Sequence, residues 1–149
     1  MRLTNGFDAS ASALTAQRLR MDIISSNIAN ATTTRGKKVG DTWLPYQRKM
    51  VVMEPRQSQF AQMLNQEIQG EAPGNGVRVS RIIEDQAPFK SVYDPSHPDA
   101  DENGNVWLPN VDIAKEMVDM ISATRAYEAN VTALNASKSM IMKALEIGR

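Results

Sequence analysis

Residues 111–148 read VDIAKEMVDMISATRAYEANVTALNASKSMIMKALEIG, with no proline and no glycine before Gly148. At seven-residue spacing one set of positions is Met117, Thr124, Val131, Lys138 and Leu145, and the set three residues on is Met120, Tyr127, Leu134 and Ile141. All but Thr124 and Lys138 are apolar or aromatic, which draws a narrow stripe along one side of a long helix. Ala114, Ala123, Ala126, Ala129, Ala133 and Ala136 add helix propensity and leave room for close neighbours. At ~1.5 Å per residue such a helix runs on the order of 55 Å, more than a compact domain of this chain length can cover. Much of the stripe must therefore meet another helix.

A matching helix stands at the other end of the chain. Phe7, Leu14, Met21 and Ile28 recur every seven residues, with Leu3, Ala11 and Ile24 beside them. Ser12, Thr15, Arg18, Arg20 and Asp22 mark the opposite, polar face. Asn5 and Gly6 suit a helix start, and Asp8 sits well in the first turn. The Ser-, Asn- and Thr-rich run from Ser25 to Thr34 ends it, because those side chains compete for backbone hydrogen bonds. One such helix alone reads as an ordinary amphipathic helix on a globular core. Two narrow stripes, one at each chain end, favour an antiparallel coiled coil of the terminal helices.

Between them the period changes. Gln47 to Met53, stopped by Pro55, reads as a strand, as do Val77 to Glu84, Phe89 to Tyr93 and Val106 to Leu108. A short helix near 58–69 is closed by Gly70, and Glu71 to Gly76 is a turn by composition. Arg35, Lys37 and Lys38 form a basic run, read as a solvated loop, with contact to an acidic neighbour as the sharper alternative. The expected fold is mainly α with a small β-rich insert: a terminal helical coiled-coil domain of 1–34 and 111–149, and a central insert of 35–110.

Composition narrows the function classes. Hydrophobic residues make up 42% and charged ones 23% of 149 residues, ordinary for one folded domain or two small ones. Only 5% are aromatic while methionine occurs nine times, which suits adaptable helix seams better than one dense core. A formal net charge of zero argues against general nucleic-acid binding. Residues 1–38 hold six basic and two acidic side chains, and 39–110 hold six basic and ten acidic, a dipole that suits head-to-tail contact between copies and that solvated faces explain nearly as well. The absence of cysteine removes disulfides, thiolate metal sites and cysteine nucleophiles. No apolar run is long enough to span a bilayer, and the residues after Arg2 do not read as a cleaved secretory signal.

Chemistry is sparse. Asp99-Ala100-Asp101-Glu102-Asn103-Gly104 satisfies the first six positions of a calcium loop, but the twelfth, where a bidentate Glu belongs, is Asn110. A tight Asx-rich turn is the better reading, with a calcium-responsive binding module on Asp99–Asn110 as the alternative. His97 is the single histidine and reads as a surface loop residue, since no nucleophile motif accompanies it. Neither an active site nor a cofactor site is found, so an enzyme is not expected.

Ser26-Asn27-Ile28-Ala29-Asn30, Pro45-Tyr46-Gln47-Arg48-Lys49, the loop Val92 to Asp101, Pro109-Asn110-Val111-Asp112, Glu116 to Ile121 and Arg125-Ala126-Tyr127-Glu128-Ala129-Asn130 together resemble the bacterial flagellar basal-body rod proteins, most of all the proximal member. The likeness covers roughly 1–34, 43–54 and 88–149. It implies a structural subunit of the rod, in the cell envelope outside the cytoplasmic membrane, exported uncleaved through the flagellar type III apparatus. Its implied partners are other rod proteins, the rod-to-ring adaptor and copies of itself, with no nucleic acid and no small-molecule substrate. Carried residue by residue, the family motif falls on Asn27, Ala29, Asn30, Asn110, Asp112, Arg125, Tyr127 and Asn130. The spacing puts the subunit-interface seam at Phe7, Leu14, Met21, Ile28, Met117, Met120, Tyr127, Val131, Leu134, Ile141 and Leu145.

Overall fold

A computed structural model describes residues 5–40, 42–56 and 76–147. Helix α1 (Asn5–Ala29) is followed by β1 (Lys37–Val39), β2 (Thr42–Leu44), β3 (Lys49–Pro55), β4 (Val77–Glu84), β5 (Lys90–Tyr93), β6 (Asn105–Leu108) and helix α2 (Ile113–Ile147). In chain order, two long helices thus flank small antiparallel sheets. The short helix expected near 58–69 and most of the following turn lie outside the described residues.

Both helices follow from local chemistry. Helix α2 starts where the Asp112 side chain accepts the backbone N–H groups of Ala114 (3.0 Å) and Lys115 (3.4 Å), satisfying donors that the first turn leaves free. Its 35 residues contain no proline or glycine. Helix α1 closes at Asn30, whose backbone N–H and side-chain amide both donate to Ser26 O, at 3.1 and 2.9 Å.

Each sheet is a pair of strands. In the first, Lys37 faces Leu44, Lys38 faces Trp43 and Val39 faces Thr42. This hairpin replaces the solvated loop expected over Arg35–Lys38; the Gly40-Asp41 dipeptide is a two-residue hairpin signal that the basic run obscured. Strand β3 pairs with β4, and flanking bonds from Arg56 N to Gly76 O and from Asp85 N to Arg48 O, both 2.8 Å, give the pair its antiparallel ends. It runs Lys49–Pro55 instead of Gln47–Met53, and the Arg48 N–H just before it is taken by Asn110 Oδ1. Strands β5 and β6 are antiparallel, with Lys90 facing Leu108 and Tyr93 facing Asn105.

The chain divides into two compact units. Unit 1 combines Met1–Leu19, Val52–Arg81 and Ala123–Arg149; unit 2 combines Arg20–Val51 and Ile82–Ser122. Within unit 1, Ser12 Oγ donates to Ala9 O (2.7 Å) and accepts the Val77 N–H (3.1 Å). Ser12 therefore packs against β4, although its polarity placed it on the outer face of α1. Gly76, at φ 108°, makes that approach possible: a Cβ there would crowd the Ser12 side chain and lie 3.2 Å from Ala9 Cα. Within unit 2, Arg20 pairs with Asp119 at 3.6 Å and Asn27 meets Glu116 at 3.0 Å, so α1 lies beside α2 there.

Candidate functional site

The interior of unit 2 is built around polar side chains. Of the buried hydrophobic residues among those described, Ile24, Val106 and Val111 lie in this unit, whereas the largest side chains wholly removed from solvent are Glu116, Asn27 and Pro109. A carboxylate and an amide at 1% exposure must be fully partnered, or each would cost several kcal/mol.

Asn27 meets that demand with four bonds. Its Nδ2 donates to Lys49 O (2.9 Å) and to Glu116 Oε2 (3.0 Å), and its Oδ1 accepts the Lys49 N–H (3.0 Å) and the Tyr46 hydroxyl (2.9 Å). The amide thus binds both polar groups of one peptide residue, as a neighbouring strand would. Only a side chain carrying donor and acceptor together can do so. Asn110 grips the preceding residue: its Oδ1 accepts the Arg48 N–H at 2.8 Å, and its Nδ2 donates to Asp85 O and Ala87 O, each at 3.1 Å.

Arg48 completes the cluster. Its Nε and Nη2 both lie 2.6 Å from Glu116 Oε1, while Nη1 is 3.4 Å from Asp85 Oδ2 and Nη2 is 3.5 Å from Asp119 Oδ2. Burial works against the Arg48 charge, but the hydrogen bond and charge of Glu116, then those of Asp85, outweigh it and raise its pKa above the ordinary value. Asp119 also holds Arg20. The arrangement fixes α1, the 46–49 segment, residue 85 and the start of α2 in one geometry. Tyr46, Arg48, Lys49, Asp85 and Glu116 were not singled out as site residues from the sequence. The available signal was the line one residue ahead of the expected frame, Glu116, Ala123, Asn130 and Ser137.

The other motif residues have local duties. Ala29 is exposed at the last turn of α1, and Asn30 accepts Thr33 Oγ1 at 3.3 Å. Asn130 Nδ2 donates to Ala126 O at 2.7 Å, Tyr127 is half-buried and Arg125 is exposed. Of the expected seam, Leu14, Met21, Ile28, Met120, Tyr127, Val131, Leu134 and Ile141 are half-buried, whereas Phe7, Met117 and Leu145 are open to solvent.

The Asp99 loop takes a different course from a calcium site. Arg35 Nε donates to Asp99 Oδ1 at 2.8 Å with Nη2 beside it, and Thr34 Oγ1 donates to Oδ2 at 2.8 Å. The Arg35 hydrogen bond, then that of Thr34, holds the Asp99 carboxyl below its ordinary range. Asp101 Oδ2 instead accepts Trp107 Nε1 at 2.6 Å. Asp94 binds the Ser96 hydroxyl (2.6 Å) and N–H (3.1 Å), which lowers its pKa, and His97 Nδ1 accepts the Asp99 N–H at 3.1 Å. The basic run therefore supplies an acidic neighbour's partner, and the loop is an Asx turn locked by Arg35. Among the described residues no group of three or more His, Cys, Asp or Glu is placed to hold a metal ion.

Comparison with known proteins identifies the family. Residues 7–37 match the family described as flagella basal body rod protein, and residues 102–147 match the flagellar basal body rod FlgEFG protein C-terminal family. The chain is 55% identical to the flagellar basal-body rod protein FlgC of Bacillus subtilis, over the whole of both chains. It is 45% identical to FlgC of Borreliella burgdorferi, covering 99% of this chain and 98% of that one, and 43% identical to FlgC of Salmonella typhimurium over the whole of both. The motifs that meet at Asn27, Arg48 and Asn110 lie within a likeness that runs from end to end, and the chain belongs to the FlgC family of flagellar basal-body rod proteins.

Proposed function

We propose that this structural subunit of the flagellar basal-body rod occupies the proximal rod, where its terminal helices (1–34 and 111–149) pair antiparallel as a coiled coil and neighbouring subunits cover their remaining apolar faces. The observation that carries the reading is the exposure of large apolar side chains on α2: Met117 at 55%, Ile121 at 53% and Leu145 at 72%. A soluble monomer would bury such residues or lack them, and a subunit keeps them for its neighbours. Contacts inside each unit support the pairing. Arg20 meets Asp119 and Asn27 meets Glu116 in unit 2, while a Cβ on Gly6 would lie 3.8 Å from Ser137 Oγ in unit 1. The partners are copies of the chain, other rod proteins and the rod-to-ring adaptor, reached through the type III export apparatus.

The seam of Phe7, Leu14, Met21, Ile28, Met117, Met120, Tyr127, Val131, Leu134, Ile141 and Leu145 divides by exposure. Its half-buried members join α1 to α2 and its open members face neighbours. Leu145→Asp leaves the free chain folded, because the position is already exposed, and blocks incorporation into basal bodies. Ser139→Asp, also at an exposed position of α2, incorporates normally. Quantifying each variant in isolated basal bodies and scoring motility tests this; equal incorporation of both would show that the apolar face is not a seam.

A further inference from the structure

Unit 2 carries an open cleft of about 630 Å³, within the size range of small-ligand sites. Trp43, Leu44, Phe89 and Trp107 form its apolar walls, and Thr34, Thr42, Asp99 and Asp101 its polar lining. The two indoles are the only tryptophans of the chain, yet they stay 49% and 47% exposed. Tryptophan is highly buried on average in folded chains.

The charges around the cleft select among ligands. Asp99 is neutralised by Arg35, and Lys38 Nζ stands 6.0 Å from the Trp43 ring centroid. The Arg35–Asp99 pair cancels in charge, and Lys38 and Asp101 are left with opposite signs, so the cleft favours neither a cation nor an anion. Both carboxylates are held in fixed orientations, by Arg35 and Thr34 in one case and by Trp107 Nε1 in the other. Asp101 uses Oδ2 for that bond, which leaves Oδ1 as an acceptor. Flat aromatic faces with fixed acceptors and hydroxyls beside them suit a neutral, hydroxyl-rich ring: its polarised C–H groups lie on the negative face of an indole while its O–H groups donate to carboxylate oxygen.

We propose that this cleft binds a neutral oligosaccharide, with Trp43 and Trp107 as stacking platforms and Asp101 as the hydroxyl acceptor. The site does not depend on the place of the subunit in the rod. Since the chain has no other tryptophan, its intrinsic emission reports on the cleft directly. The full chain is titrated with chitotriose and with cellotriose, and with a short lysine- and valine-containing peptide for comparison. Saturable change in emission with at least one sugar is expected, weakened by about tenfold or more in Asp101→Ala and in Trp107→Ala. Val92→Ala, on β5 and outside the lining, leaves it unchanged. Far-UV circular dichroism checks each variant, and if Trp107→Ala unfolds, amide-shift mapping of sugar on the unaltered chain locates the contact. Emission unmoved by either sugar at about 10 mM, sugar-induced shifts mapping away from the cleft, or saturation by the peptide alone would overturn the proposal.

Discussion

Asn27→Asp is the sharpest test of the polar interior, because it changes one nitrogen to oxygen and leaves size unchanged. The Asn27 amide donates to Lys49 O and Glu116 Oε2, at 2.9 and 3.0 Å. The ionised carboxylate that replaces it has no hydrogen to give, so Lys49 O loses that partner at a cost of roughly 1–3 kcal/mol. The change also sets two carboxylates about 3 Å apart, a repulsion of about 5 kcal/mol at an effective dielectric of ~20. Arg48, 2.6 Å from the other Glu116 oxygen, offsets part of this. A net loss of roughly 3–5 kcal/mol at pH 7 follows, a large share of the stability of a small domain. The sign with pH is opposite to that of most carboxylates. Repulsion and burial raise the folded pKa of the new acid above its unfolded value, so the loss is greatest above the folded pKa and shrinks as pH falls through it. Urea unfolding of both proteins at pH 7 and pH 5, followed by circular dichroism, measures this. A loss below about 1 kcal/mol at pH 7, or one that grows on acidification, would refute the hydrogen-bond assignment.

Arg48→Met leaves Glu116 buried without its counter-ion and destabilises by about 3–5 kcal/mol in urea, whereas Arg48→Met with Glu116→Leu recovers much of that loss. Gly36→Ala places a Cβ 2.6 Å from Tyr46 N and Cα, so backbone must shift; a loss of about 1–3 kcal/mol and faster amide exchange at Tyr46 are expected. Because Asp99 titrates below the ordinary carboxylate range, its bonds to Arg35 and Thr34 contribute above the unfolded pKa and are lost as pH falls through the lower folded one. Emission from Trp43 and Trp107 should hold steady down to the unfolded carboxylate range and change below it, and Asp99→Asn should abolish that acid transition.

The helices were legible because periodicity is a local property. Asp112, the alanine ladder and the absence of proline fix α2 with no reference to any other segment. The β1–β2 hairpin was hidden because two adjacent lysines suggested solvent, although a strand with both faces exposed carries charge freely. Ser12 misled for the converse reason: polarity suggested an outer face, but its hydroxyl serves the N–H of Val77. The polar cluster was the least legible. Asn27, Arg48, Asn110 and Glu116 belong to segments far apart in the chain, and only folding shows that their hydrogen bonds end on one another.

A polar interior and an apolar exterior are two sides of one allocation. Placing Asn27 and Glu116 where Leu or Phe could sit forgoes about 1.5–3 kcal/mol of transfer energy at each position. The hydrogen bonds that replace it contribute little net stability but exist in a single arrangement of segments. Met117, Val118, Ile121, Met140, Met142 and Leu145 meanwhile stay on the surface of α2, where the proposed assembly would give them neighbours. In the proposed assembly such a subunit would gain stability with every neighbour it acquires, which links folding to incorporation. The helical signal of the free chain should accordingly fall on dilution. Unchanged helicity in a strictly monomeric sample would mean that the interior of unit 2 suffices without neighbours.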